Sequence, residues 1–162
     1  MKPYSTNVVS DYIIKSLNAD DNMMLINLKL QKLLYYVQAW SLGILKVKFI
    51  NTKFEAWVHG PVCRDLYDRF KTNKTLYSPI SVDDIIIQNP EELIDEEDIK
   101  FINFILENYA GFSGAELETM THNESPWKET RQGLSPMQSS HKEIKDDLMK
   151  TYYGAKWEKI NS

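Results

Sequence analysis

The chain has 162 residues, the size of one ordinary domain, and 43% of them are apolar, enough for a continuous core. Its net charge of −4, with both signs interspersed, argues against the clustered basic charge on which nonspecific nucleic-acid binding depends. Cys63 stands alone, which excludes an internal disulfide and a multi-cysteine zinc site and points to a reducing compartment, so a cytoplasmic protein is expected. No apolar run approaches the ~18 residues of a membrane span, and Met1–Ser10 lacks the apolar centre of a secretory signal, so no membrane partner is expected.

In chain order, a first helix starts near Ser5 or Thr6, with Val9, Tyr12, Ile13, Ser16 and Leu17 on one face. Asn18 to Asn22 has turn composition. A second helix follows, N-capped by Asn27. Leu30, Leu33, Leu34, Val37 and Trp40 lie at helical spacing, and Gly43 is expected as the left-handed residue past its end. Residues 46–50 and 54–59 alternate and predict a hairpin turning over 51–53. In the second strand Phe54, Ala56 and Val58 point one way, and Glu55, Trp57 and His59 the other. Gly60-Pro61 then opens a helix to Lys71, with Pro61 at its first position and Val62, Leu66 and Phe70 buried.

Ile80–Ile87 reads as a third strand or a loop. Asp95–Asp98 loads negative charge on the start of a helix whose apolar face is Ile99, Ile102, Ile105, Leu106 and Tyr109. Ser113 and Glu116 make a capping box for a short helix ending near Thr121. A turn over His122–Pro126 leads to another helical piece from Trp127 to Gln132. Residues 133–140 are a loop, and a last helix runs from about Ser140 to Tyr152. The sum is an α+β fold, predominantly helical: one domain over 5–152 with a small antiparallel sheet among about six helices, then a C-terminal tail over 153–162.

Few groupings suggest chemistry. His59 and Cys63 could pair as base and nucleophile, but no third orienting residue or oxyanion loop accompanies them, and both have ordinary structural readings. No catalytic residue, cofactor or metal is therefore expected; the three histidines show no metal spacing, and neither GxGxxG nor a P-loop occurs. Lys29 and Lys32 beside Tyr35 and Tyr36 could bind a nucleic-acid backbone and stack bases. The acidic total favours lysine stems and tyrosine rings framing a core helix, so no nucleic-acid partner is expected. Gln31, Tyr35 and Gln38 form a polar and aromatic row beside the leucine face. Trp57 either packs under a helix or meets a partner.

The run Leu28-Lys29-Leu30-Gln31-Lys32-Leu33-Leu34-Tyr35-Tyr36-Val37-Gln38-Ala39-Trp40 resembles the signature helix of the Panacea, or SocA-like, antitoxin domain family. Phe54 to Val62, with Gly60-Pro61 and a following Tyr67, is similar to that family's second block. Ser113 to Leu117, Thr121-His122 and Pro126-Trp127 resemble its third, although Thr119-Met120 before Thr121 is a small departure. Many members resemble phage-associated GepA-type proteins. The resemblance implies an antitoxin that neutralises a cognate toxin by direct binding and occlusion. It also carries two alternatives: an adaptor delivering a client to a ClpXP-type protease, and a phage-encoded protein with another host target. A hydrolase using His59 and Cys63 is the remaining alternative. The expected partner contacts are Gln31, Tyr35, Gln38, Trp57 and Tyr67. Leu30, Lys32, Leu33, Leu34, Gly60, Pro61, His122, Pro126 and Trp127 are motif positions with expected structural roles.

Overall fold

The computed structural model describes residues 1–19 and 24–162. Helix α1 spans Thr6–Asn18, and the Ser5 hydroxyl caps it by accepting the Val8 amide at 3.2 Å. Its buried stripe centres on Val9, Ile13, Ile14 and Leu17, with Tyr12 and Ser16 at a half-buried margin. Of the turn expected over Asn18–Asn22, residues 20–22 lie outside the described residues.

Helix α2, Asn27–Trp40, is the axis of the molecule, and all of its residues are buried. Asn27 is its first residue rather than its cap; Ile26 holds the cap position without a side-chain bond. The helix does not stop at Gly43. It widens into a π turn over Ser41–Leu45 and ends at Lys46, whose φ of 62° is left-handed. Gly43 serves a different need. A Cβ there would lie 2.7 Å from the Tyr153 backbone, so glycine permits a close crossing with the last helix.

Residues 46–50 do not form the expected strand. They contribute one bridge, Tyr4 to Ile50. The hairpin lies one segment later, where β1 (Phe54–Trp57) pairs antiparallel with β2 (Gly60–Cys63) around a turn at Val58 and His59. Gly60-Pro61 therefore opens a strand and not a helix. The sheet order is β2-β1-β3, so β2 is an edge strand, where a proline without an amide hydrogen is tolerated. Helix α3 then runs Arg64–Phe70 and buries Leu66 and Phe70.

Residues 80–87 are a loop containing one 3-10 turn at Val82–Asp84. Helix α4, Glu96–Tyr109, carries three acidic residues in its first turn and buries Ile102, Ile105, Leu106 and Tyr109, with Ile99 half-buried. The capping box is present: Ser113 Oγ accepts the Glu116 amide, and Glu116 accepts the Ser113 amide at 2.8 Å, starting α5 (Gly114–His122). Helix α6 covers Ser125–Thr130, two residues earlier than expected. Residues 143 and 144 were expected within the last helix. They form β3 against Phe54 and Glu55. Helix α7 then spans Asp146–Ile160, so residues 153–160, expected as a tail, continue it.

The fold is thus α+β and predominantly helical, with seven α-helices and a three-stranded antiparallel sheet among the described residues. Its centre is aromatic. Tyr36 stacks on Tyr109 at 4.0 Å, Tyr35 meets Phe54 edge-on, and Tyr153 of α7 reaches Tyr35, Tyr36 and Trp40. None of the described helices is long and apolar enough to cross a membrane.

Candidate partner-binding site

Three of the five expected partner contacts lie inside the core. Gln31 is buried, and its side chain closes a reciprocal pair with the Cys63 backbone: Oε1 accepts the Cys63 amide at 2.8 Å and Nε2 donates to its carbonyl at 3.1 Å. Gln38 does the same for the segment after the π turn. Its Oε1 accepts the amides of Phe49 and Ile50, and its Nε2 donates to the Ile50 carbonyl. Tyr35 is 1% exposed, its hydroxyl lies 3.2 Å from the Tyr153 hydroxyl, and it is held by three aromatic neighbours. Burial pushes its phenol well above the ordinary tyrosine range. Gln31 and Gln38 are therefore internal braces for backbone N–H and C=O groups, Tyr35 packs among rings, and the polar row of α2 presents no surface.

Trp57 and Tyr67 are half-buried and come together, with ring centroids 4.8 Å apart. His141 stacks on Trp57 at 4.8 Å, and the Arg64 guanidinium lies 5.0 Å from its ring. Glu55 ties the cluster together by accepting from Trp57 Nε1 at 2.7 Å and from Arg64 at 3.0 Å. This places an aromatic and charged patch on the face of β1 opposite Phe54 and Ala56. The motif residues brace it from behind: Trp127 of α6 donates its Nε1 to the Trp57 carbonyl.

The remaining motif positions form a second buried group. Leu30, Leu33 and Leu34 are fully buried in the core. Lys32 has no exposed surface, and its Nζ donates to the Pro61 carbonyl at 3.1 Å. Loss of hydration lowers its pKa to about 7, while Glu118 pulls it the other way. Gly60, with φ of 100°, lies against this lysine; a Cβ there would come 2.7 Å from Lys32 Cε. His122 stacks on Trp127 at 4.1 Å, and burial lowers its pKa. Pro126 opens α6 within its first turn.

His59 and Cys63 have separate partners. His59 Nδ1 meets Glu118 at 3.0 Å, whereas the Cys63 thiol is buried, contacts Thr52 Oγ1 at 3.3 Å and is pushed up in pKa by burial. That environment suits an inert thiol and not a nucleophile. Among the described residues no group of histidine, cysteine and acidic side chains is placed to hold a metal.

Two buried acids went unmarked in the sequence. Glu124 accepts from the hydroxyls of Tyr36 and Tyr153, each at 2.8 Å, and meets Lys156 at 3.4 Å. Asp11 pairs with Arg69 at 2.6 Å and accepts the amides of Ile86 and Ile87, pinning the loop that could have been a strand. Neither has a spacing signal, because their partners are 29 to 88 and 58 to 76 residues distant.

The antitoxin SocA-like, Panacea domain family matches residues 30–128, from the first turn of α2 to the middle of α6. The chain belongs to this family. The matched stretch holds the bracing glutamines, the buried lysine, the Gly60-Pro61 edge strand and the Trp127 brace of this Panacea domain. The domain's core also uses α1, β3 and α7, which lie outside the matched residues. No curated protein and no solved structure matches the chain.

Proposed function

We propose that this Panacea domain neutralises a cognate toxin by direct protein–protein binding, covering the toxin's active site or the approach to it. Membership of the antitoxin SocA-like family carries the reading. The half-buried Trp57–Tyr67 cluster supports it, because amphipathic rings beside an arginine are the side chains that anchor protein interfaces. Trp57 and Tyr67 stand as toxin contacts on this reading; Gln31 and Gln38 act from within by fixing the backbone of β2 and of the segment before β1, and Tyr35 by packing against Phe54 and Tyr153. A stable complex needs roughly 1,200–2,000 Å² of buried surface, so the cluster is one part of a larger contact.

The test is co-expression with the product of the adjacent gene. Rescue from that product's toxicity, with the two proteins co-purifying and the toxin's half-life unchanged, is the expected result. A shortened half-life identifies an adaptor for proteolysis instead. A neighbour that is toxic yet neither rescued nor bound refutes the reading.

A further inference from the structure

The turn between β1 and β2 closes over a buried amine with too few partners. Lys32 of α2 has no exposed surface, and its ammonium, with three hydrogens to donate, makes one hydrogen bond among the described residues, to the Pro61 carbonyl. The acid that acts on it, Glu118 of α5, faces His59 of the turn at 3.0 Å. His122, the last residue of α5, lies beside the Val58 backbone, and its Nε2 is buried without a partner. The titratable groups facing Lys32 are therefore His59 on the turn and Glu118 and His122 on α5, while the Gly60-Pro61 stretch contributes none. Lys29, one turn earlier on α2, is tied to the Ala110 carbonyl at 2.6 Å.

The cover over Lys32 is thin. Gly60 sits so close that a Cβ there would fall 2.7 Å from Lys32 Cε and 2.8 Å from Thr121 Oγ1. On the other side is α2 itself, which is buried along its whole length and moves only if the core opens. Val58 and His59, by contrast, are half-buried and join two strands of four residues each. A buried ammonium regains hydration by the least disruptive opening, and lifting this turn is that opening. Under the seated turn the lysine's pKa is about 7, against an ordinary 10.5 once water reaches it. Between those values the seated form binds fewer protons than the lifted form, so it gains on the lifted form as pH rises. Below about pH 7 Lys32 is charged in both and the ratio levels off.

We infer that the β1–β2 turn is a proton-gated latch, lifted from α5 when Lys32 takes up a proton and seated when Lys32 releases it. Trp57 immediately precedes the turn, and its carbonyl is the acceptor for Trp127 Nε1. A lifted turn therefore draws the Trp57 ring away from Tyr67, and acid loosens the aromatic patch. The latch depends only on the burial of Lys32. Its effect on a toxin rests on the antitoxin reading, in which a partner bound at Trp57 holds the turn seated.

Amide exchange of the full chain tests it, with each rate divided by the intrinsic base-catalysed rate. The protected amides of residues 55–62 report the turn, and those of Ile13 and Ile102 report the core. Between about pH 7 and about pH 8.5 the opening constant at 55–62 is expected to fall roughly fifteenfold in the unchanged chain and to stay level in Lys32→Met. Low urea is expected to leave that opening unchanged while it speeds exchange at Ile13 and Ile102. Exchange at 55–62 that follows the core in urea, or that keeps its pH dependence in Lys32→Met, overturns the latch. So does a Lys32 Nζ resonance that titrates where an ordinary lysine does. In complex with the adjacent gene's product, exchange at 55–62 is expected to slow about tenfold or more. An unchanged rate in a stable complex overturns the link between latch and toxin and leaves the antitoxin reading intact. A latch that behaves as expected, in a chain that neither binds nor rescues the toxic neighbour, refutes the antitoxin reading alone.

Discussion

Replacing Lys32 by methionine removes a buried ammonium while keeping the length of the side chain. In the folded protein the lysine's pKa is about 7, against an ordinary value of 10.5. Between those values the folded state binds fewer protons than the unfolded state, so the lysine's penalty shrinks as pH rises and is complete below pH 7. Linkage over that interval puts the penalty at about 4–5 kcal/mol at about pH 6 and roughly 2 kcal/mol at about pH 9. Methionine gives up the bond to the Pro61 carbonyl, a loss of about 1 kcal/mol that does not change with pH. The stability difference between the two proteins, measured by urea unfolding, is thus expected to shift by about 2–3 kcal/mol over that range, methionine gaining most in acid. Subtracting the variant cancels every titrating group that the Lys32 charge does not act on; Glu118 and His122 are the two it does. A difference that stays constant with pH would falsify the account of Lys32 as a desolvated ammonium.

Gln38→Ala leaves the amides of Phe49 and Ile50 without their acceptor and is expected to cost about 2–4 kcal/mol, with amide exchange rising first at those two positions. Gly43→Ala forces a Cβ against the Tyr153 backbone; a loss of about 2–3 kcal/mol in denaturant unfolding is expected, and an unchanged midpoint would show that α7 can move away freely. The Cys63 thiol is expected to react with a thiol reagent far more slowly than free cysteine at neutral pH, its raised pKa and burial acting together, and to react fully in urea.

The helices were legible because their apolar spacing and caps are local. Ser5, the Ser113–Glu116 box and the leucines of α2 each specify structure within one or two turns. The sheet was not, because its registers are set at a distance. β3 is two residues long and exists only by pairing with Phe54 and Glu55, and β2 begins with a glycine and a proline that read equally well as a helix start. The alternation over 46–50 suggested a strand, but its backbone is held by Gln38 and Tyr4 in place of a neighbouring strand. The same cause hid the site. Gln31 and Gln38 looked like a surface row because periodicity shows which residues share a face, not that every face of α2 is covered. Trp57 and Tyr67 could each be named from the sequence, but their meeting depends on β2, the edge strand that read as a helix start.

The order in which the chain closes on itself follows from α7. Tyr153 lies against Tyr35, Tyr36 and Trp40, yet it is synthesised more than a hundred residues after them. During translation Phe54 and Tyr109 can cover part of the aromatic side of the central helix, but the part that meets Tyr153 must wait until the last helix leaves the ribosome. Until then β1 also lacks β3, and Glu124 lacks the Tyr153 hydroxyl. A chain truncated at the end of the family-matched stretch would keep the recognisable motifs but leave the aromatic centre open to water.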